Sequence, residues 1–110
     1  MTPLTLVELQ EQHEVWQQKN FPRQQSYQAI LGAIEELGEL AHAHLKEEQA
    51  IRQMDADKAF DLKCDAIGDL FIFLAGYCNL EGIDMQNALE TTWAKVKTRD
   101  WIADPEGKTA

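Results

Sequence analysis

A chain of 110 residues with a formal net charge of −9 is long enough for one domain with one core and is strongly acidic. That charge excludes a reader of duplex DNA, which neutralises phosphates with a basic face, and so short a chain leaves apolar surface near water, so self-association is expected. It does not exclude a small phosphorylated ligand, because carboxylates hold a cation and the cation holds the phosphate.

Helix signals dominate the chain. Thr5 followed by Glu8 has the spacing of a capping box and predicts a first helix from about Leu6, with Leu6, Leu9, His13 and Trp16 recurring at steps of three and four. "NFPRQ" ends it, because Pro22 disfavours helical geometry at Phe21. A second helix is predicted from about Ser26 to Glu48, with Ile30, Ile34, Leu37 and Ala41 as its core stripe. "QAIRQMDAD" reads as a polar loop, in which Asp55 or Asp57 caps a third helix running to about Leu80. Gly82 has the place of a C-cap and Asp84 that of the N-cap of a fourth helix, predicted to run to about Trp101. No strand alternation, repeat or glycine-rich phosphate loop is present. The expectation is an all-α bundle of four helices, five at most, in one domain over residues 1–102, with 103–110 a flexible C-terminal tail.

If Cys64 and Cys78 lie on one helix, roughly 21 Å of axial rise separates them, so they are expected as reduced thiols rather than an internal disulfide. No signal peptide is visible, and the longest apolar run, 66–80, contains Asp69 and falls short of the roughly 20 residues that span a bilayer. These features point to a cytoplasmic protein with no membrane partner.

Two stretches carry the chemistry. "AIEELGELAHAHL" puts Glu35, Glu36 and Glu39 within five positions, and "CDAIGDLFIFLAGYCNL" sets Asp65 and Asp69 in a nearly all-apolar run. On a helical wheel Glu36 and Glu39 point away from Ile34 and Leu37, the pattern of a solvated face. The third helix argues otherwise: it is apolar nearly all round, with Ile67, Leu70, Phe71, Leu74 and Tyr77 on one face, so carboxylates on it are costly unless paired or metal-bound. If helices two and three are neighbours, Asp65 and Asp69 face Glu36 and Glu39. Four converging carboxylates repel without a counter-ion, and an all-oxygen set favours Mg²⁺, with Mn²⁺ as a possible substitute. The competing reading is an acid cluster neutralised by Lys46 and Lys63.

"EELGEL" followed by "DAIGDL", with "WQQKNFPRQ" upstream and "TTWAKVKTRDW" downstream, resembles the MazG-like group of all-α nucleoside triphosphate pyrophosphohydrolases over about residues 10 to 101. The resemblance implies the all-α pyrophosphatase fold assembled as a homodimer or homotetramer, and Mg²⁺-dependent hydrolysis of a (deoxy)nucleoside triphosphate to monophosphate and pyrophosphate as nucleotide-pool housekeeping. Glu36, Glu39 and Asp69 match the family's metal ligands, and Glu35 matches the first acid of its EExxE pattern. The family's ExxD pattern would put an acid at position 66, where this chain has Ala66, and Asp65 lies one residue earlier. That leaves the number of metal ions open.

Lys95, Lys97 and Arg99 form the densest basic cluster. Lys95 and Arg99, four apart, have the spacing to hold a polyphosphate, as the resemblance also implies, or simply to sit favourably near a helix C-terminus. Arg23 is a further phosphate candidate. Trp16, Phe21 and His13 lie in the segment that in related enzymes helps hold the base. By spacing alone Trp16 reads as a core residue and His13 as a half-exposed interface residue. Two rivals stand beside this reading. Glu39 and His42 have the Glu-x-x-His spacing of di-iron bundles, but such a site needs two motifs and one is present. The other rival is a catalytically weak or inactive helical oligomerisation or regulatory module of the same fold, favoured by Ala66.

Overall fold

In a computed structural model, which describes residues 2–108, the chain forms four helices: α1 (Leu6–Asn20), α2 (Ser26–Gln49), α3 (Ala56–Glu81) and α4 (Met85–Val96). There is no strand among the described residues. Their boundaries follow from local chemistry. Thr5 accepts from the Glu8 amide at 3.1 Å and Glu8 accepts from the Thr5 amide at 3.1 Å, the reciprocal capping box. Asp55 accepts from the Lys58 amide at 2.8 Å and starts α3, and Asp84 accepts from the Asn87 amide at 3.0 Å and starts α4. Gly82, at φ 68, terminates α3 in the left-handed region that costs glycine nothing. The fourth helix stops at Val96, short of the expected Trp101. There the Thr98 hydroxyl donates to the Lys95 carbonyl, and the Asp100 carboxylate accepts from the amides of Ile102 and Ala103, turning the chain.

α2 and α3 form an antiparallel pair. Glu47 and Lys63 meet beside the connecting loop at 2.6 Å, while Gly32 meets Phe73 far from it. Ala29, Ala33, Glu36 and Ala43 are the buried positions of α2, recurring at steps of four, three and seven. On α3 the residues Ala59, Lys63, Ala66 and Phe73 repeat the same rhythm. The seam between the two helices is therefore lined largely by small side chains. This corrects the expected stripe: Ile34 and Leu37 are 60% and 54% exposed, and Glu36 faces inward instead. Ile67 and Phe71 of the expected α3 face are likewise exposed.

α1 crosses α3, and α4 leaves α3 at 106° and packs against α1. Gln10 ties this corner together. Its amide donates to the Ile83 carbonyl at 2.6 Å and accepts from the Met85 amide at 2.9 Å, and its carbonyl accepts from Asn79 at 2.9 Å. No single helix among the described residues is long and apolar enough to cross a membrane.

The seam depends on Gly32. A Cβ there would overlap the Phe73 ring, whose Cζ would lie 2.8 Å away. Gly32→Ala is expected to lower stability by about 1–3 kcal/mol through overpacking, despite alanine's better helix propensity. In a Phe73→Leu background the same change should cost markedly less. Urea denaturation of the four proteins in this cycle measures the coupling, and an equal cost in both backgrounds would show that the ring is not the obstacle.

Candidate functional site

Glu35, Glu36 and Glu39 each offer a carboxylate oxygen, and these oxygens lie within 4.8 Å of one another. Their spacing puts them within about one turn of α2, with Glu36 buried in the α2–α3 seam and Glu35 and Glu39 exposed beside it. Glu36 is 8% exposed and its Oε2 is buried without a hydrogen-bond partner. Burial, a hydrogen bond with Glu39 and the charges of Glu39, Asp69 and Glu35 push its carboxyl up to about 7. Asp69, half-buried on α3, is thus the fourth acid acting on the group.

The lysines that offered a simple neutralisation are engaged elsewhere. Lys63 pairs with Glu47, and the Lys46 ammonium donates to Gln49 at 3.1 Å. Among the described residues no ion pair reaches Glu35, Glu36, Glu39 or Asp69. Asp65 is exposed and stands outside the grouped carboxylates, whereas Ala66 is 2% exposed within the seam. The interior position of the expected second motif therefore carries a methyl group, and the acid one residue earlier does not replace it. His42 is exposed, and His44 lies 3.6 Å from Glu48 on an exposed face, away from the three-glutamate group.

A cavity of about 700 Å³ opens between α1, the turn that follows it, the start of α2 and the later part of α3. His13, Trp16, Phe21 and Arg23 all line it, so the structure brings together the three expected base contacts and one of the expected phosphate contacts. Trp16 is half exposed and forms a cavity wall rather than core, with its ring 5.7 Å from that of Phe21 in an edge-on arrangement. His13 is buried rather than half-exposed, its ring 5.4 Å from Trp16 and its Nδ1 without a partner. Burial holds the His13 imidazole below its ordinary value, which favours the neutral ring.

Gln17, Gln24 and Gly76 also line the cavity, and sequence reasoning missed them. A signal existed for Gln17, which lies one helical turn after His13 on the same face. Ala29 lines the cavity and Glu36 lies seven residues further along α2, so roughly 10 Å of helix separates cavity and acids. Lys95 and Arg99 are exposed on and just beyond α4, whose packing partner is α1, so another part of the fold positions them.

Comparison with models of known families, with curated proteins and with solved structures found no match.

The Glu36 carboxyl carries a pH signature. Its folded value, about 7, lies above the ordinary 4.5, so the stability it contributes is full below pH 4.5 and is lost as pH rises through 7. His13, lowered by burial, acts in the opposite sense as pH falls, so the comparison with Glu36→Gln isolates the glutamate. In EDTA the variant should gain thermal stability over wild type progressively between pH 5 and pH 8. A melting-temperature difference that stays constant across that range would contradict the assignment.

Proposed function

We propose that the protein is a Mg²⁺-dependent nucleoside triphosphate pyrophosphohydrolase of the MazG-like kind, cleaving a (deoxy)nucleoside triphosphate to monophosphate and pyrophosphate. The observation that carries this reading is Glu36: a buried carboxylate among three others, with one oxygen unpartnered and, among the described residues, no cation paired to the group. Such an arrangement is costly alone and is relieved by a divalent cation. The donor set fits Mg²⁺, since every candidate ligand is a carboxylate oxygen, and Mn²⁺ would serve in its place.

Glu36, Glu39 and Asp69, with Glu35 at the edge, would hold the ion. Bound there, Mg²⁺ supplies charge for the phosphate oxygens and a lowered pKa for water. The chain's own groups do the rest. A carboxylate of the Glu36–Glu39 pair accepts the proton of the water that attacks the α-phosphorus, and the pair titrates as a unit. Arg23, beside the cavity, binds a phosphate oxygen, and Lys95 and Arg99 supply further positive charge. Trp16 and Phe21 give the base an aromatic wall, and His13 offers a neutral polar edge.

The working unit is a homo-oligomer, a dimer or a tetramer. The isolated protomer exposes 8418 Å², against about 6,200 Å² for a folded monomer of this mass. Its radius of gyration is 17.5 Å, where a domain of 100 residues has about 13 Å. Tyr27, Leu31, Ile34 and Leu45 on α2, and Phe60, Ile67 and Phe71 on α3, form exposed apolar stripes at helical spacing. The same stripes, with Ala66 in the seam, favour the second reading, a non-catalytic oligomerisation module that needs the faces and not the acids.

Pyrophosphate release from a panel of nucleoside triphosphates, with Mg²⁺ and with EDTA, separates the two. The enzyme reading predicts Mg²⁺-dependent product, reduced at least about a hundredfold in Glu36→Gln, Glu39→Gln and Asp69→Asn while the fold stays helical. Wild-type rates in all three variants would overturn the site, and no product from any nucleotide would favour the module.

A further inference from the structure

α4 projects from the body of the protomer. It leaves α3 at 106°, packs against α1, and is braced at its base by Gln10, whose carboxamide donates to the Ile83 carbonyl and accepts from the Met85 amide. Its outer side carries Leu89, Trp93 and Lys97 at steps of four, the spacing of one ridge on a helix. The Lys97 amide still donates to the Trp93 carbonyl at 2.9 Å, so the ridge is helical to its end. α2 carries a ridge of the same kind, Tyr27, Leu31, Glu35 and Glu39. Every residue of both ridges is exposed, the four apolar ones by more than half. Within one chain, therefore, neither ridge covers the other.

The two ridges match in only one sense. Both run from two apolar residues to charge over roughly 12 Å, α4 ending in a lysine and α2 in glutamates. Laid parallel, Leu89 meets Tyr27, Trp93 meets Leu31 and Lys97 meets Glu35. Laid antiparallel, Lys97 meets Tyr27 and Leu89 meets Glu35, which sets each charge against an apolar side chain. Ridges of this kind align in the commonest class of helix packing. Two copies of a chain with net charge −9 repel at long range, so a contact between them needs local opposite charge. The end of α4 supplies it, and among the described residues Lys95, Lys97 and Arg99 are in no ion pair of their own chain. The area that the protomer exposes beyond that of a folded monomer is larger than the roughly 800 Å² per partner that a stable interface covers. We propose that α4 of a second copy lies parallel along α2, Leu89 and Trp93 covering Tyr27 and Leu31, and that its Lys97 completes the acid group at Glu35 and Glu39. A two-fold axis makes the contact twice, each copy lending a lysine to the other. Only the further role of Lys97, binding substrate phosphate at that place, rests on the pyrophosphohydrolase reading.

The test mixes two charge reversals, Lys97→Glu and Glu35→Lys, and measures association by sedimentation equilibrium, with circular dichroism as a check on folding. In either variant alone every such contact sets like charges together, so the dissociation constant should rise by on the order of tenfold. Mixed, the two variants restore opposite charges at both contacts and should associate with each other at near wild-type affinity. High salt should shrink both effects. Glu39→Lys takes the place of Glu35→Lys if that variant does not fold. A wild type that stays monomeric at millimolar concentration, variants that associate like wild type, or a mixture no tighter than its parts overturns the proposal. Where wild type releases pyrophosphate, Lys97→Gln should raise KM for the triphosphate by on the order of tenfold, and an unchanged KM overturns the place of Lys97 in the site. If no pyrophosphate is released, the enzyme reading fails, and the mixing experiment, which needs no turnover, still decides the docking.

Discussion

Ala29, Ala33 and Ala43 of α2 are buried where α2 meets α3, and α3 brings Ala59 and Ala66 on the matching rhythm. Because the contact residues are small, the two helices approach closely, and the ring of Phe73 fits only because Gly32 has no side chain. Everything else in the molecule answers to that seam. The large apolar residues that do not fit it are turned outward, so that among the described residues no large side chain is completely buried. The same register carries Glu36 inward, where a carboxylate has little solvent to stabilise its charge.

The two halves of the site are consequences of one packing solution. Along α2 the buried face passes from Ala29, beside the cavity, to Glu36, among the acids. Along α3 it passes from Gly76 and Phe73, which back the cavity, to Asp69, which acts on Glu36. Trp16 of α1 and Phe21 of the following turn wall the cavity at one end of this seam, and the acid group lies roughly 10 Å further along α2.

The helices and their ends were legible in the sequence because caps are local chemistry. Thr5 with Glu8, Asp55, Gly82 and Asp84 all act within a few residues of themselves. The inward face of α2 was not legible, because reading the core from the bulkiest apolar residues selects Ile34 and Leu37. Here alanines and a glutamate hold the inner positions, and the bulky residues form an outer face. The acid group was visible as a spacing, and its neighbour Asp69 as an anomaly in an apolar run. The separation of Asp65 from the group needed the register of α3, which turns on which side of Ala66 faces α2. Gln17 shares the face of His13 one turn on, but its contacts with Gln24 and against Gly76 are made only in the tertiary structure. α4 ended early because side chains of Thr98 and Asp100 competed for backbone groups, an effect that hydrophobic periodicity does not register.

Whether the buried Glu36 carboxyl belongs to a cation site is decided by calorimetric titration of Mg²⁺ at pH 7. A carboxyl poised at about 7 holds part of a proton there, so binding must expel it. Saturable binding is expected, with an apparent enthalpy that changes with the ionisation enthalpy of the buffer and loses that dependence in Glu36→Gln. Absence of binding at millimolar Mg²⁺, or binding with no proton released, would contradict a cation site there.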